Sequence, residues 1–203
     1  IINIPTGIFR GFEIIGIDYG MIMAILGGDD AGGGVTWAPQ VIENAQEHGL
    51  ILGENGRLYD TKQGEALPYS VSPMPVLTKD VLARIPEPSA QDLIPRHVAR
   101  YNDLIAFADQ ASAKVIGSEG ILQDKPGFEV DFLTRGSVSG ENLTFKDTVV
   151  LMPMRGHWKV SWEGGSATLN PGDTCLLPEN FEHVLTPAMS GEVSLYRVLS
   201  NDD

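Results

Sequence analysis

The sequence predicts an all-β protein whose C-terminal half is an antiparallel barrel or a double-sheet jelly roll. Three observations point there. Strand-like runs at Thr148–Met154, His157–Trp162 and Thr174–Leu177 follow one another closely. Turn chemistry separates them: Arg155–Gly156, Glu163–Gly164–Gly165 and Asn170–Pro171–Gly172–Asp173. Within HWKVSW, Trp158, Val160 and Trp162 alternate with His157, Lys159 and Ser161, the period of a strand with two unlike faces. Short strands punctuated by Gly and Pro suit an antiparallel architecture better than one with crossover helices.

Taken in order, residues 1–28 read as strand, turn, strand, strand. Pro5–Thr6–Gly7 is the turn, and Ile8–Phe12 and Met21–Leu26 are strand candidates on either side of Gly16–Gly20. Three strands cannot bury two faces, so this segment is expected to pair onto a sheet. Residues 27–35, GGDDAGGGV, form a Gly-rich loop. It lacks the Lys and Ser/Thr of a phosphate loop, and its two acids would repel phosphate, so it reads as a connection. Trp37–His48 is a helix, with Pro39 early, Val41, Ile42 and Ala45 on its apolar face and Gly49 as a stop. His48 suits the dipole at the helix C-terminus. Glu54–Asn55–Gly56 marks a hairpin between Leu50–Leu52 and Arg57–Tyr59. Residues 66–98 hold six prolines and read as a surface linker, interrupted by a short helix at Lys79–Arg84 capped by Thr78. Another short helix falls within Arg96–Gln110, where His97 is expected on a solvated face.

From Ala113 the strands resume at Lys114–Gly117, Ile121–Gln123 and Gly127–Leu133. In FEVDF, Phe128, Val130 and Phe132 alternate with Glu129 and Asp131. Buried acids are costly unless paired, so both acids are expected to face solvent. Gly191–Leu199 supplies a last strand before an acidic tail expected to fray.

Composition bounds the function classes. The 203 residues suffice for one large domain, and a hydrophobic fraction of 42% is that of a globular chain. No apolar run approaches the length of a membrane span. The apolar start lacks a signal peptide's basic region and cleavage site, and also an initiator Met, so a fragment or processed chain is expected. A net charge of −13 and a pI near 4.6 argue against nucleic acid and anionic membrane surfaces as partners. The single cysteine, Cys175, excludes an intrachain disulfide and fits a reducing cytoplasm. It lies in an apolar strand and is read as core packing.

Asn170–His183, NPGDTCLLPENFEH, resembles the second motif of the cupin superfamily, G-x5-P-x-G-x2-H-x3-N. Gly172 and Pro178 match. Asn180 stands for the second Gly, a position Asn tolerates. His183 falls on the metal-ligand His, and Pro187 replaces the final Asn. The resemblance implies a cupin jelly-roll barrel over residues 113–203. Pro5-x-Gly7-x2-Arg10 echoes the same motif with Arg in place of His. Residues 1–28 then resemble the terminal strands of an incomplete N-terminal cupin, joined by a Gly/Pro-rich segment at 29–112 with short helices and a hairpin. An Arg there could not ligate a metal.

The interrupted two-cupin outline resembles ring-cleaving dioxygenases of the hydroquinone and homogentisate type. That resemblance implies a non-haem Fe(II) centre, or less readily Mn(II), built from His, Asn, a carboxylate and a later His. Asn142 fits the Asn, Asp147 replaces Glu and His183 fits the last His, while Gly140 stands at the first His. Imidazole and carboxylate suit such metals, and open positions would admit oxygen and a dihydroxylated aromatic. The alternative is a metal-free cupin that binds a small molecule or serves as a non-catalytic subunit. His183 as a satisfied core residue stays open beside both. A homo-oligomer, or a hetero-oligomer with another cupin subunit, is the expected assembly.

Overall fold

The computed structural model describes residues 1–5, 7–18, 20–26, 36–108, 112–122 and 127–200. The Gly-rich loop at 27–35, Gln123 and the last three residues of the acidic tail lie outside these. The chain divides into two compact units, Ile4–Ile22 with Gly32–Ser89, and Ile1–Asn3 with Met23–Ala31 and Ala90–Asp203.

The first unit is built on a helix and a hairpin. Helix α1 (Pro39–Glu47) starts at Pro39, whose missing N–H is harmless in a first turn. His48 ends it and its Nδ1 lies 2.8 Å from the Asn44 carbonyl, the terminal role expected of it. Strands β1 (Leu50–Leu52) and β2 (Leu58–Asp60) pair antiparallel, with Ile51 opposite Tyr59. Gly56 closes the turn at φ +78°, which a side chain would oppose. Helix α2 (Lys79–Leu82) begins where the Thr78 hydroxyl accepts from Val81 N. Its apolar interior is slight: Ala38, Ile42 and Tyr59 are its buried hydrophobic side chains among the described residues.

The expected strands at Ile8–Phe12 and Met21–Leu26 do not form; neither segment joins a ladder. Ile15 and Ile17 are fully exposed, and Phe12, Ile14 and Met21 are mostly so. The first residues do not join a sheet either: Ile2 makes an isolated bridge to Val98, through Ala99 N to Ile1 O at 2.9 Å and Asn3 N to His97 O at 2.8 Å.

The second unit holds the jelly roll. Helix α3 (Ala90–His97) lies largely in the stretch read as linker, and α4 (Tyr101–Phe107) is the short helix expected within Arg96–Gln110; between them Val98–Arg100 is drawn out to meet Ile1–Asn3. His97 is half-buried rather than solvated, and its Nδ1 is shielded without a hydrogen-bond partner among the described residues. Among the described residues nine strands follow: β3 (Ala113–Ile116), β4 (Phe128–Thr134), β5 (Asn142–Leu143), β6 (Val149–Arg155), β7 (Trp158–Trp162), β8 (Gly165–Leu169), β9 (Cys175–Leu177), β10 (His183–Pro187) and β11 (Ser194–Ser200). They form a five-stranded sheet, β3-β4-β11-β6-β9, and a four-stranded sheet, β5-β10-β7-β8. Every ladder within the two sheets is antiparallel.

The inner faces of the two sheets meet over Leu133, Leu151, Trp158, Val160, Leu185 and Leu195. Trp158 is 0% exposed, while Trp162, at the strand end, is 38% exposed. His157 lies on the surface with Nδ1 2.9 Å from Asn170 Oδ1. Cys175 packs at the edge of this core, and burial pushes its thiol pKa up, away from thiolate reactivity. The outer face of the five-stranded sheet is covered too. Val130, Phe132, Tyr196 and Val198 pack with Leu104 and Ala108 of the α4 region. Tyr101 meets Phe132 edge-on at 5.7 Å, and its hydroxyl lies 2.6 Å from Ser194 Oγ. Among the described residues no helix is long and apolar enough to cross a membrane.

Candidate functional site

His183 is placed by a turn that the sequence dictates. Pro178 ends the stretch after β9, and Asn180 adopts φ +57°, the one left-handed non-Gly conformation among the described residues. Asn is the residue that tolerates this best after Gly. Asn180 N donates to Phe145 O at 2.7 Å and Phe181 N to Pro178 O at 3.3 Å, which locks the reversal. The chain then re-enters as β10 with His183 facing inward, 2% exposed. Nδ1 lies 2.9 Å from the Phe181 carbonyl. A carbonyl only accepts, so Nδ1 carries the proton in this hydrogen bond.

What surrounds His183 is aromatic. Phe181 stacks with it at 6.1 Å and 21°, and Phe145 lies 6.0 Å away at 34°. Trp162 extends the row beyond Phe181 at 5.9 Å. The Arg197 guanidinium sits 4.9 Å over the Phe145 ring. Arg197 donates from Nε at 3.1 Å and Nη2 at 2.7 Å to Asp131 Oδ2. Lys114 Nζ lies 3.2 Å from Asp131 Oδ1 and also pairs with Glu129. Asp131 is therefore buried and paired, not solvent-facing as expected from FEVDF; its side chain is 5% exposed. Burial disfavours the Lys114 charge, but the hydrogen bond to Glu129 and the attraction of Asp131 outweigh it and raise its pKa.

The other two expected metal ligands do not converge on His183. In the β5–β10 ladder His183 is opposite Leu143 and Val184 is opposite Asn142. Opposed residues share a face and neighbours alternate, so Asn142 points away from the interior. It is exposed, and its Nδ2 donates to Glu182 Oε1 at 2.8 Å. Asp147 sits half-buried in the bend before β6 and makes no hydrogen bond or ion pair among the described residues. No group of three or more His, Cys, Asp and Glu side chains able to hold a metal occurs among the described residues. His183 is oriented as a ligand would be, but the donors meant to share a metal with it are not gathered there. As placed, these residues do not fit an Fe(II) or Mn(II) centre, which draws on several imidazole and carboxylate donors.

Arg197, Asp131 and Phe145 were not singled out from the sequence. The signal was present in SLYRVL: Leu195, Arg197 and Leu199 share one strand face, so an inward Arg requires an inward acid. A cavity of about 60 Å³ opens beside this cluster, lined by Ser137, Ser139, Glu141, Leu143, Leu185 and Arg197. A wider surface hollow of about 380 Å³ lies in the first unit, among Phe9, Pro39, Leu82, Ile85, Glu43 and Glu87. It is open and lacks a fixed, oriented polar group, so the smaller cavity is the stronger candidate.

Two antiparallel sheets in this strand order, packed over an apolar interior, define an all-β jelly roll. No family model matches the chain, and no curated protein matches it. Similar solved structures include a cupin-2 domain protein from Shewanella frigidimarina, at 16% identity and TM-score 0.41, covering 51% of this chain and 94% of that one. Protein NMB1881 from Neisseria meningitidis is similar at 16% and 0.41, covering 51% and 99%. A cupin 2 domain-containing protein from Halorhodospira halophila is similar at 21% and 0.38, covering 45% and 63%.

Proposed function

We propose that this jelly roll is a metal-free cupin that binds a small molecule, or serves as a non-catalytic subunit, and does not itself cleave an aromatic ring. One observation carries the reading. The ladder that puts His183 inside puts Asn142 outside, and a slip of one residue would turn every β5 side chain to the other face. The aromatic rings of Phe145 and Phe181 lie beside the imidazole. We further propose that the chain works as an oligomer. The support is the run of exposed large hydrophobics between Phe12 and Leu26, which a solitary chain would leave in water.

Anaerobic calorimetric titration with Fe(II) and Mn(II) tests the first reading, alongside oxygen uptake on a hydroquinone-type substrate. The expected outcome is no stoichiometric metal binding and no oxygen uptake. Stoichiometric binding that is lost in both His183→Ala and Asp147→Ala would instead support the dioxygenase-like reading, with Asn142 turned inward in the metal-bound state. Light scattering of the eluting protein tests the assembly; a monomer at micromolar concentration would reject it.

A further inference from the structure

The proposed function leaves the class of ligand open, and the surroundings of Arg197 narrow it. A guanidinium presents five N–H donors in a fixed planar fork. Asp131 Oδ2 takes the edge formed by Nε and Nη2, at 3.1 and 2.7 Å. The opposite edge, Nη1 with the second hydrogen of Nη2, makes no hydrogen bond to any described residue. Arg197 lines the cavity of about 60 Å³ beside it. The plane of the fork is held by Phe145 beneath it and by Asp131 at its side. Such a preorganised, partly desolvated edge matches the two oxygens of a carboxylate. The cavity has room for a few waters, hence for a carboxylate and not for a ring.

We propose that this edge binds the carboxylate of a small organic acid, whose organic part extends out along the Ser137–Glu141 loop. The proposal rests on the metal-free reading for its place in function, though not for its chemistry. The Ser139 Oγ accepts from Glu141 N at 3.4 Å, which leaves its O–H free to donate to the same ligand. The Ser137 hydroxyl is already engaged with Thr134: it accepts from its N at 2.9 Å and donates to its Oγ1 at 3.3 Å, since the Thr134 hydroxyl gives its own proton to Ala108 O. Glu141 lines the cavity with a carboxylate of its own, which opposes the ligand's charge. Affinity is therefore set in the millimolar range, and removing that charge strengthens it.

The test is an amide-resolved NMR titration of the full chain with sodium acetate, with sodium chloride and sodium sulfate as arms at matched ionic strength. Saturable shifts confined to residues 137–143 and the neighbours of Arg197, with acetate only, are expected. Glu141→Gln should tighten acetate binding about two- to fivefold, the scale of one exposed charge interaction. Ser139→Leu, a surface substitution that fills the cavity, should abolish it without unfolding the chain. Arg197→Lys, if folded, should weaken it roughly tenfold, because a point charge replaces the fork. Equal shifts with sulfate or chloride, no saturable shift with acetate, or unchanged binding in Ser139→Leu would each overturn the proposal. The iron titration separates the two readings. Acetate binding in a chain that also takes up iron stoichiometrically sinks the metal-free reading and keeps this site. A chain that takes up neither sinks the site alone.

Discussion

Removing one side of the Asp131–Arg197 pair should cost more than removing both. Asp131 is 5% exposed and Arg197 17% exposed, so neither can recover full hydration if its partner is lost. In Arg197→Met the carboxylate keeps only Lys114, at 3.2 Å and itself 32% exposed. An unpaired buried charge costs about 3–5 kcal/mol, and the remaining lysine places this variant near 3 kcal/mol, or roughly 6–12 °C in Tm for a chain of this length. In Asp131→Val the two cations left behind lie nearer water, and Lys114 retains Glu129. That loss should be smaller, about 1–3 kcal/mol. The double variant fills the same strand positions with apolar groups and should fall within about 1 kcal/mol of the parent. The double-mutant cycle then gives a coupling of about 3–6 kcal/mol. Urea unfolding in a Trp37→Phe background reads this directly, because Trp158 and Trp162 both lie in the unit that holds the pair. Additivity of the two substitutions within about 0.5 kcal/mol would refute the account.

Trp158→Ala should cost about 3–5 kcal/mol, and Trp162→Ala well under half of that, measured by the same unfolding experiment. Trp158→Phe should be milder than its lost area suggests, since the buried indole N–H has no acceptor among the described residues. Gly156→Ala should lower stability by about 1–3 kcal/mol, because φ is +67° and a Cβ would meet Val193 Cγ1 at 2.6 Å and Glu192 O at 2.9 Å; a silent substitution would contradict that packing. Stability should also fall in alkali. Lys114 has its folded pKa above the ordinary 10.5, so its contribution is full below that value and fades as pH rises through the folded one. The Tyr196 phenol is pushed up to about 12, first by burial and then by Tyr101, so between pH 10 and 12 the unfolded chain ionises while the folded one resists. Lys114→Met and Tyr196→Phe should each flatten the decline measured above pH 10.

The turn before His183 was legible because its chemistry is local. Pro178 and Asn180 each have few backbone options, and together they leave little choice but a reversal. Strand β8 was harder to see: Gly165–Leu169 offers one large apolar residue and starts at the second of two glycines, so no periodicity marks it. The orientation of FEVDF was misjudged for a different reason. Alternation tells which residues share a face but not which face is the interior. Here both faces are covered, the aromatic one by the α4 region and the acidic one by the second sheet, where Asp131 is paired with Arg197 of the adjoining strand, 66 positions away. A partner that distant leaves no trace in a local window. The facing of Asn142 turned likewise on register. Asn142 is one residue from Leu143, and one residue is the difference between inside and outside. The strands expected at Ile8–Phe12 and Met21–Leu26 had the right composition but find no edge with which to pair in this chain.

The slight interior of the first unit bears on how the protein opens. A segment held by Ala38, Ile42 and Tyr59, a short hairpin and a Thr-capped turn has little to lose when it comes apart. Amide protons there are guarded by local hydrogen bonds, whereas those of β4, β6 and β11 lie beneath two packed faces. Under native conditions the two sets should therefore exchange with solvent deuterium on separate schedules. The hairpin amides should go through small openings insensitive to dilute urea. The central-strand amides should wait for an opening as large as global unfolding and quicken as urea is added. Anything that seats itself on the first unit would reveal its footprint by slowing the early set alone.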